Sequence, residues 1–81
     1  MNNDKLVKCF AEVLGLPIEN ITDDLAYNSA KEWDSIAHMA LVAAIEREFN
    51  VILETEEILA MSTVAQARIT LQKHGVNFYA A

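Results

Sequence analysis

Residues that break helices are almost absent from this chain. Its 81 residues include two glycines and one proline, namely Gly15, Gly75 and Pro17. Hydrophobic residues make up 53% of the chain, and many of them are alanine, which has the highest intrinsic helix propensity. We therefore expect helices over most of the length.

The first predicted helix extends from Asp4 to Leu14. Its apolar residues recur every three or four positions and so share one face: Leu6, Phe10, Val13 and Leu14. Asn3 or Asp4 is the expected N-cap, because a short side-chain oxygen can accept a hydrogen bond from an unpaired amide at a helix start. Gly15 suits the left-handed position after the helix, and Pro17 prevents its continuation.

A long connection, residues 17–33, separates this helix from the next. Its apolar residues are spaced too irregularly for one helix, so we expect them to anchor a loop that has a short turn near residues 23–26: Ile18, Ile21, Leu25 and Trp33. A connection this long in a small domain is usually functional.

Three further helices are predicted. The central helix starts at residue 34 or 35 and ends at 49 or 50, a short acidic helix covers 55–59, and the last begins at a Thr63–Gln66 capping signal and reaches Lys73. The prediction is an all-α, four-helix bundle of three longer helices and one short helix, with a long loop between helices 1 and 2. We expect a single domain over 1–81, with its core at about 4–74 and a loose tail at 75–81.

The charge of the chain restricts its partners. Twelve acidic and six basic residues give a net charge of −6, which disfavours nucleic acid and favours basic protein surfaces. No secretory signal peptide and no apolar run of bilayer-spanning length are present, so we expect a cytoplasmic protein without membrane association. The single cysteine, Cys9, lies among apolar residues and is interpreted as a packing residue.

The central helix has two apolar sides. A core stripe includes Leu41, Ala44, Ile45 and Phe49, with His38 near it as a half-buried histidine. The opposite side also stays apolar before it reaches charged residues: Ile36, Met39, Ala40, Ala43, then Glu46 and Arg47. Such a face is either a contact surface for other proteins or is covered by the long loop, and helical geometry alone favours neither.

Asp34 and Ser35 open this helix. Both residue types are favoured at N-caps, so capping alone explains the pair. A helix start also carries partial positive charge and unpaired amides, which stabilise a phosphodiester attached there.

The stretch EWDSIAHMALVAAIEREFNVIL resembles the centre of acyl carrier proteins, and the similarity extends over about residues 6–74. The resemblance implies that Ser35 receives 4′-phosphopantetheine from coenzyme A, that Asp34 is the family's preceding aspartate, and that Ile36 lies beside the arm. It also implies a docking surface for partner enzymes, made of Met39, Ala40, Ala43, Glu46, Arg47 and Glu48. The expected partners are a phosphopantetheinyl transferase and acyl-activating enzymes, acyltransferases or synthases.

The resemblance further implies a monomeric carrier with no catalytic activity of its own. Ala37 and Ala40 occupy places that are usually acidic in carriers of fatty acid synthesis, and Trp33 replaces a small residue. These departures favour a stand-alone carrier of a specialised pathway. An aminoacyl or peptidyl carrier, and an unmodified helical adaptor of the same fold, are the alternative functions. A long acyl cargo would be sheltered by parting Leu41, Ile45 and Leu71.

Overall fold

Four α-helices and one short 3₁₀ turn make up the computed structural model, which describes residues 2–78. The helices are α1 (Asn2–Leu14), α2 (Ser35–Phe49), α3 (Thr55–Ala60) and α4 (Val64–Lys73), and the 3₁₀ turn is Ile18–Asn20. The predicted all-α fold and the long loop between α1 and α2 are confirmed. Within residues 2–78, the only β-type pairing is one isolated antiparallel bridge between Ala26 and Thr63.

The predicted start of α1 is wrong. The helix begins at Asn2, so Asn3 and Asp4 lie inside it and neither is its N-cap. Both asparagines have partners elsewhere: Asn2 Nδ2 donates to the Asn77 carbonyl at 2.7 Å, and Asn3 Oδ1 accepts from Arg68 Nε at 3.1 Å. Their side chains connect α1 to the C-terminal part of the molecule.

The other helix ends follow the chemistry of their residues. Gly15 has a φ of +69°, the left-handed conformation expected after α1. Thr63 Oγ1 accepts from the Gln66 amide at 3.0 Å and caps α4 as predicted. Asn50 ends α2 with a φ of +54°, a C-cap that the sequence analysis placed at the right position without assigning its conformation.

The core lies where α1, α2, α4 and the end of the long loop meet. Trp33, the last loop residue before the α2 cap, is fully buried, and its ring packs edge to face on Phe10 with centroids 5.2 Å apart. Most of the predicted inward residues of α1, α2 and α4 are buried in this core, whereas Val13, Ala44 and Phe49 are half-buried and pack against it; the buried ones are Leu6, Phe10, Leu14, Leu41, Ile45, Val64, Ala67 and Leu71. Cys9 is also buried, and burial, followed by the nearby Glu48 and Glu12 carboxylates, raises the pKa of its thiol. Its packing role is therefore supported.

The long loop is fastened to the start of α4. Three backbone hydrogen bonds make this connection, and the first two are the pair that forms the bridge: Tyr27 N to Ser62 O (2.8 Å), Val64 N to Leu25 O (3.1 Å) and Ala65 N to Asp23 O (3.1 Å). Ile21 and Trp33 anchor the loop as expected, whereas Ile18 is 55% exposed and does not. The physical reason is that Ile18 begins the surface 3₁₀ turn.

Arg68 adds a polar connection at the same place. Its Nη2 pairs with Asp23 Oδ1 at 2.8 Å, and the hydrogen bond holds the pKa of Asp23 below its ordinary value. The Asp23 side chain is 67% exposed, so solvent screening keeps the contribution of this pair to stability small.

Part of the predicted loose tail is packed. Val76 N donates to the Leu71 carbonyl at 3.0 Å, and both Val76 and Phe78 pack on the core, with the Phe78 ring 6.1 Å from that of Phe49. Both apolar side chains are therefore half-buried. Residues 79–81 of the predicted tail lie outside the described residues.

The short helix α3 is held by polar contacts at its start. Glu54 and Glu57 form a reciprocal capping box, with Glu57 Oε1 accepting from Glu54 N at 2.8 Å. Glu57 also meets His74 Nε2 at 2.9 Å, which connects α3 to the end of α4. His74, the C-cap of α4, thus has a partner that lies 17 residues away in sequence.

Burial makes Trp33 the side chain whose loss should cost most. We expect Trp33→Ala to lower the free energy of unfolding by about 3–5 kcal/mol, since a large buried ring leaves a cavity. Ile36→Ala is the matched control, because Ile36 is 81% exposed, and it should change stability by less than about 0.5 kcal/mol. Urea unfolding followed by circular dichroism measures both, and equal losses would contradict the assignment of Trp33 to the core.

Acid should weaken the contacts of Glu57 that hold the start of α3. The hydrogen bond from Glu54 N, followed by the contact with His74, lowers the pKa of Glu57. A depressed folded-state pKa contributes stability that is fully present above the ordinary glutamate value of about 4.3 and is lost as pH falls through the folded value. Carboxyl NMR titration should give Glu57 a midpoint below that value in wild type and a higher midpoint in His74→Ala. Identical midpoints in the two proteins would show that His74 does not act on Glu57.

Candidate functional site

The start of α2 presents Ser35 to solvent. Asp34 is the N-cap in extended conformation, and its Oδ1 accepts from Ala37 N at 2.9 Å. Ser35 is the first residue of the helix and is exposed. Asp34 therefore has the predicted capping role, and its carboxylate is oriented toward the helix backbone.

This helix terminus fits a phosphate ester on the Ser35 hydroxyl. The first amides of a helix lack intrahelical acceptors and carry the positive end of the helix dipole, so an anionic group beside them is stabilised. Ala37 N is already used by Asp34, and His38 N donates to the Asp34 carbonyl at 2.8 Å. The amides of Ser35 and Ile36 are the other two in the first turn, where the helix itself supplies no acceptor.

The outer face of α2 is open. Ile36 is 81% exposed and Met39 is 58% exposed, and Ala40, Ala43 and Arg47 are exposed along the same side of the helix. The long loop packs instead against the start of α4. Of the two interpretations of this face, coverage by the loop is thus excluded.

Two residues of the predicted docking surface are engaged within the protein or border another surface. Glu46 is half-buried, and its Oε2 accepts from Leu53 N at 2.9 Å, which stabilises the turn after α2. Glu48 borders a groove between α1 and α2, where its neighbours are Lys5, Lys8, Cys9 and Glu12. The exposed side of α2 is therefore made of the apolar residues and Arg47.

A cleft of about 280 Å³ opens beside Ser35, between α2 and α3. We call it the α2–α3 cleft, and its lining residues are Tyr27, Ser35, His38, Met39, Ile58, Leu59, Met61 and Ser62. The predicted cargo shelter would open by parting Leu41, Ile45 and Leu71, which are fully or almost fully buried in the core, whereas this cleft is already open. The available signal was the pair Ile58–Leu59, apolar residues in a helix that otherwise begins with acidic ones.

His38 forms the inner wall of the cleft. Its Nδ1 lies 3.0 Å from Trp33 Nε1, and its Nε2 lies 2.9 Å from the Ile58 carbonyl oxygen. An indole N–H can only donate, so Nδ1 accepts and Nε2 carries the proton that is donated to Ile58. His38 is thus the half-buried, satisfied histidine that the sequence predicted, with both ring nitrogens engaged.

Residues 2–78 give no support for a metal site or a membrane-spanning helix. That part of the chain holds no group of three or more histidine, cysteine, aspartate or glutamate side chains placed to bind a metal ion. It also includes no helix with both the length and the apolarity needed to cross a membrane.

A family model described as "phosphopantetheine attachment site" matches residues 4–67, which cover most of α1, the long loop, α2, α3 and the first turn of α4. The chain belongs to this family, whose members carry covalently attached 4′-phosphopantetheine. They are carrier domains that interact with partner enzymes such as synthases and transferases.

The capping role of Asp34 can be tested apart from any modification. Asp34→Ala should reduce the free energy of unfolding by about 0.5–2 kcal/mol, because the Ala37 amide loses its acceptor. Asp34→Asn is the matched control and should remain close to wild type, since an asparagine oxygen caps equally well. Chemical unfolding of the unmodified proteins measures the difference, and an unchanged stability of Asp34→Ala would contradict the capping role.

Proposed function

We propose that this protein is an acyl carrier in which Ser35 bears the 4′-phosphopantetheine arm. The observation that carries the proposal is the α2–α3 cleft, an apolar cavity that begins at Ser35 itself. A group tethered to this hydroxyl starts at the mouth of the cavity. The family match supports the arm, and the cleft supports the acyl character of its cargo.

Ser35 is the serine best suited to modification. The chain has two others, Ser29 and Ser62. Ser29 Oγ is engaged in the loop, where it donates to the Ala26 carbonyl at 2.7 Å. Ser62 lies between α3 and α4, and its carbonyl is paired with Tyr27 N. Ser35 is the one that begins a helix of 15 residues, where a phosphate is electrostatically favoured.

The phosphopantetheine arm and the protein residues have different roles. When bound, 4′-phosphopantetheine supplies a flexible chain ending in a thiol, which holds cargo as a thioester. Asp34 keeps the helix start formed, Ser35 anchors the arm in an exposed position, and Ile36 offers an apolar contact beside it. Tethering keeps the cargo at high effective concentration near a docked partner enzyme. We assign no catalytic activity to the protein itself.

The chemistry of the cleft favours an acyl over an aminoacyl cargo. None of its eight described lining residues is acidic, and the nitrogens of His38 are both used inside the protein. An ammonium group placed there would lose water without gaining a counter-ion, which is unfavourable. Met39, Ile58 and Leu59 instead offer apolar surface to a hydrocarbon chain.

The outer face of α2 is the docking surface of the proposal. Ile36, Met39, Ala40 and Ala43 are exposed, and Arg47 follows them. Binding to such a face depends mainly on apolar contact, so it should respond less to salt than binding through an acidic face would. The proposed partners are a phosphopantetheinyl transferase and the acyl-activating enzymes, acyltransferases or synthases of a specialised pathway. We propose that the carrier is monomeric and, from its acidity and single cysteine, cytoplasmic.

Intact mass spectrometry tests the attachment site. Incubation with coenzyme A and a broad-specificity phosphopantetheinyl transferase should add the mass of one phosphopantetheine group to wild type and none to Ser35→Ala. Ser62→Ala is the matched control, because Ser62 also lines the cleft, and it should be modified like wild type.

The contrary outcomes identify the alternatives. No mass gain in wild type would favour an unmodified helical adaptor, and a gain that persists in Ser35→Ala would place the arm on another residue. Loading of the modified protein by aminoacyl-activating but not by acyl-activating enzymes would favour the aminoacyl or peptidyl carrier.

A further inference from the structure

We propose that His38 is a positioning residue that holds α3 in place as the outer wall of the α2–α3 cleft, and thereby determines whether the cleft can shelter a cargo attached at Ser35. The part of this inference that concerns cargo rests on the proposed function. The part that concerns α3 does not, and it can be tested on the unmodified protein.

The contact of His38 with Trp33 is fixed by burial of the indole. His38 Nδ1 accepts from the indole of Trp33, which is fully buried and packed against Phe10. The rings of Trp33 and His38 are also nearly parallel, at 21°, with centroids 6.0 Å apart. Tyr27 packs on the same imidazole with its ring centroid 5.3 Å away. The imidazole is therefore fixed in orientation from two sides.

The other contact of His38 is with a lightly held helix. All six residues of α3 are described and none of them is buried, although Ile58 packs partly against the core. The Ile58 carbonyl accepts the His38 Nε2 hydrogen at 2.9 Å, and the second polar contact to a neighbouring helix is that of Glu57 with His74. Elements with few buried contacts open locally at low free-energy cost. The bond from His38 thus connects the fixed core to the most weakly held wall of the cleft.

This arrangement requires a neutral imidazole. A protonated ring donates from both nitrogens, so it can no longer accept from Trp33 Nε1, whose N–H would then face another N–H. The charged and titratable groups around the ring are few. From the loop Tyr27 contacts it, on its own helix the Asp34 carboxylate is bound to Ala37 N, and on α3 the Glu57 carboxylate is bound to His74. None of these carboxylates is bound to the imidazole, so protonation disrupts the contact without providing a new partner.

Two substitutions separate the two bonds of His38. Glutamine places its amide near the Nε2 position and retains a donor for the Ile58 carbonyl, whereas asparagine places its oxygen near the Nδ1 position and retains only the acceptor for Trp33. His38→Asn should therefore release α3 while leaving Trp33 satisfied. His38→Gln is the conservative variant that should preserve the wall.

Amide hydrogen exchange on the unmodified protein is the first measurement. His38→Asn should lower the protection of the Ile58 and Met61 amides by about fivefold to tenfold, the effect of one lost hydrogen bond, with α4 amides unchanged. His38→Gln should remain near wild type. Equal protection of α3 in all three proteins would overturn the proposal.

The second measurement uses octanoyl and acetyl thioesters, loaded from the corresponding coenzyme A esters. Cleavage by hydroxylamine should be slower for octanoyl than for acetyl on wild type, and this ratio should return toward one in His38→Asn. An octanoyl group protected equally well in His38→Asn would overturn the cargo part of the inference. An octanoyl group unprotected in wild type would contradict sheltering by the cleft itself. A protein that accepts no arm would contradict the proposed function. In either case the hydrogen-exchange measurement still tests whether His38 holds α3 in place.

Discussion

The burial of Trp33 connects more of this molecule than any other single interaction. Its ring contacts Phe10 of α1, and its indole N–H is donated to His38 of α2. The same residue is followed directly by the cap of α2. Packing one rigid aromatic side chain therefore fixes the end of a long loop, the register of α2 against α1 and the place where Ser35 is exposed. A smaller residue here would leave the loop end without an anchor and His38 without its donor.

The sequence predicted most of the fold because the relevant signals are local. Gly15, Asn50 and Thr63 act at the helix ends through their own backbone or side-chain chemistry, and the spacing of apolar residues was sufficient to identify the core faces of α1, α2 and α4. The errors have a common cause. Asn3 or Asp4 was predicted to be the N-cap, but α1 begins at Asn2. The partners of Asn2 and Asn3, namely Asn77 and Arg68, are distant in sequence. Tertiary contacts of this kind leave no periodic pattern.

The candidate site was predictable to a similar extent. The places of Asp34 and Ser35 at a helix start and the apolar outer face of α2 were predicted from local pattern, whereas the openness of that face was not, because helical geometry could not show whether the loop covers it. The cleft does not, because it needs Ile58 of α3 and Tyr27 of the loop to meet α2, and nothing in the sequence fixes the position of a six-residue helix. Glu46 shows a second limit of prediction from helical position. Its position on the helix suggested a surface charge for partners, but its carboxylate serves the turn that ends α2.

The fastening of the long loop to the start of α4 has a consequence for the order of events during synthesis. The segment that precedes Ser35 completes its backbone hydrogen bonds only with residues 62–65, which are made much later on the ribosome. Small domains generally fold as units, so a growing chain that ends before α4 leaves the loop before Ser35 without these hydrogen-bond partners. The folded start of α2 is therefore complete only after most of the chain has been made.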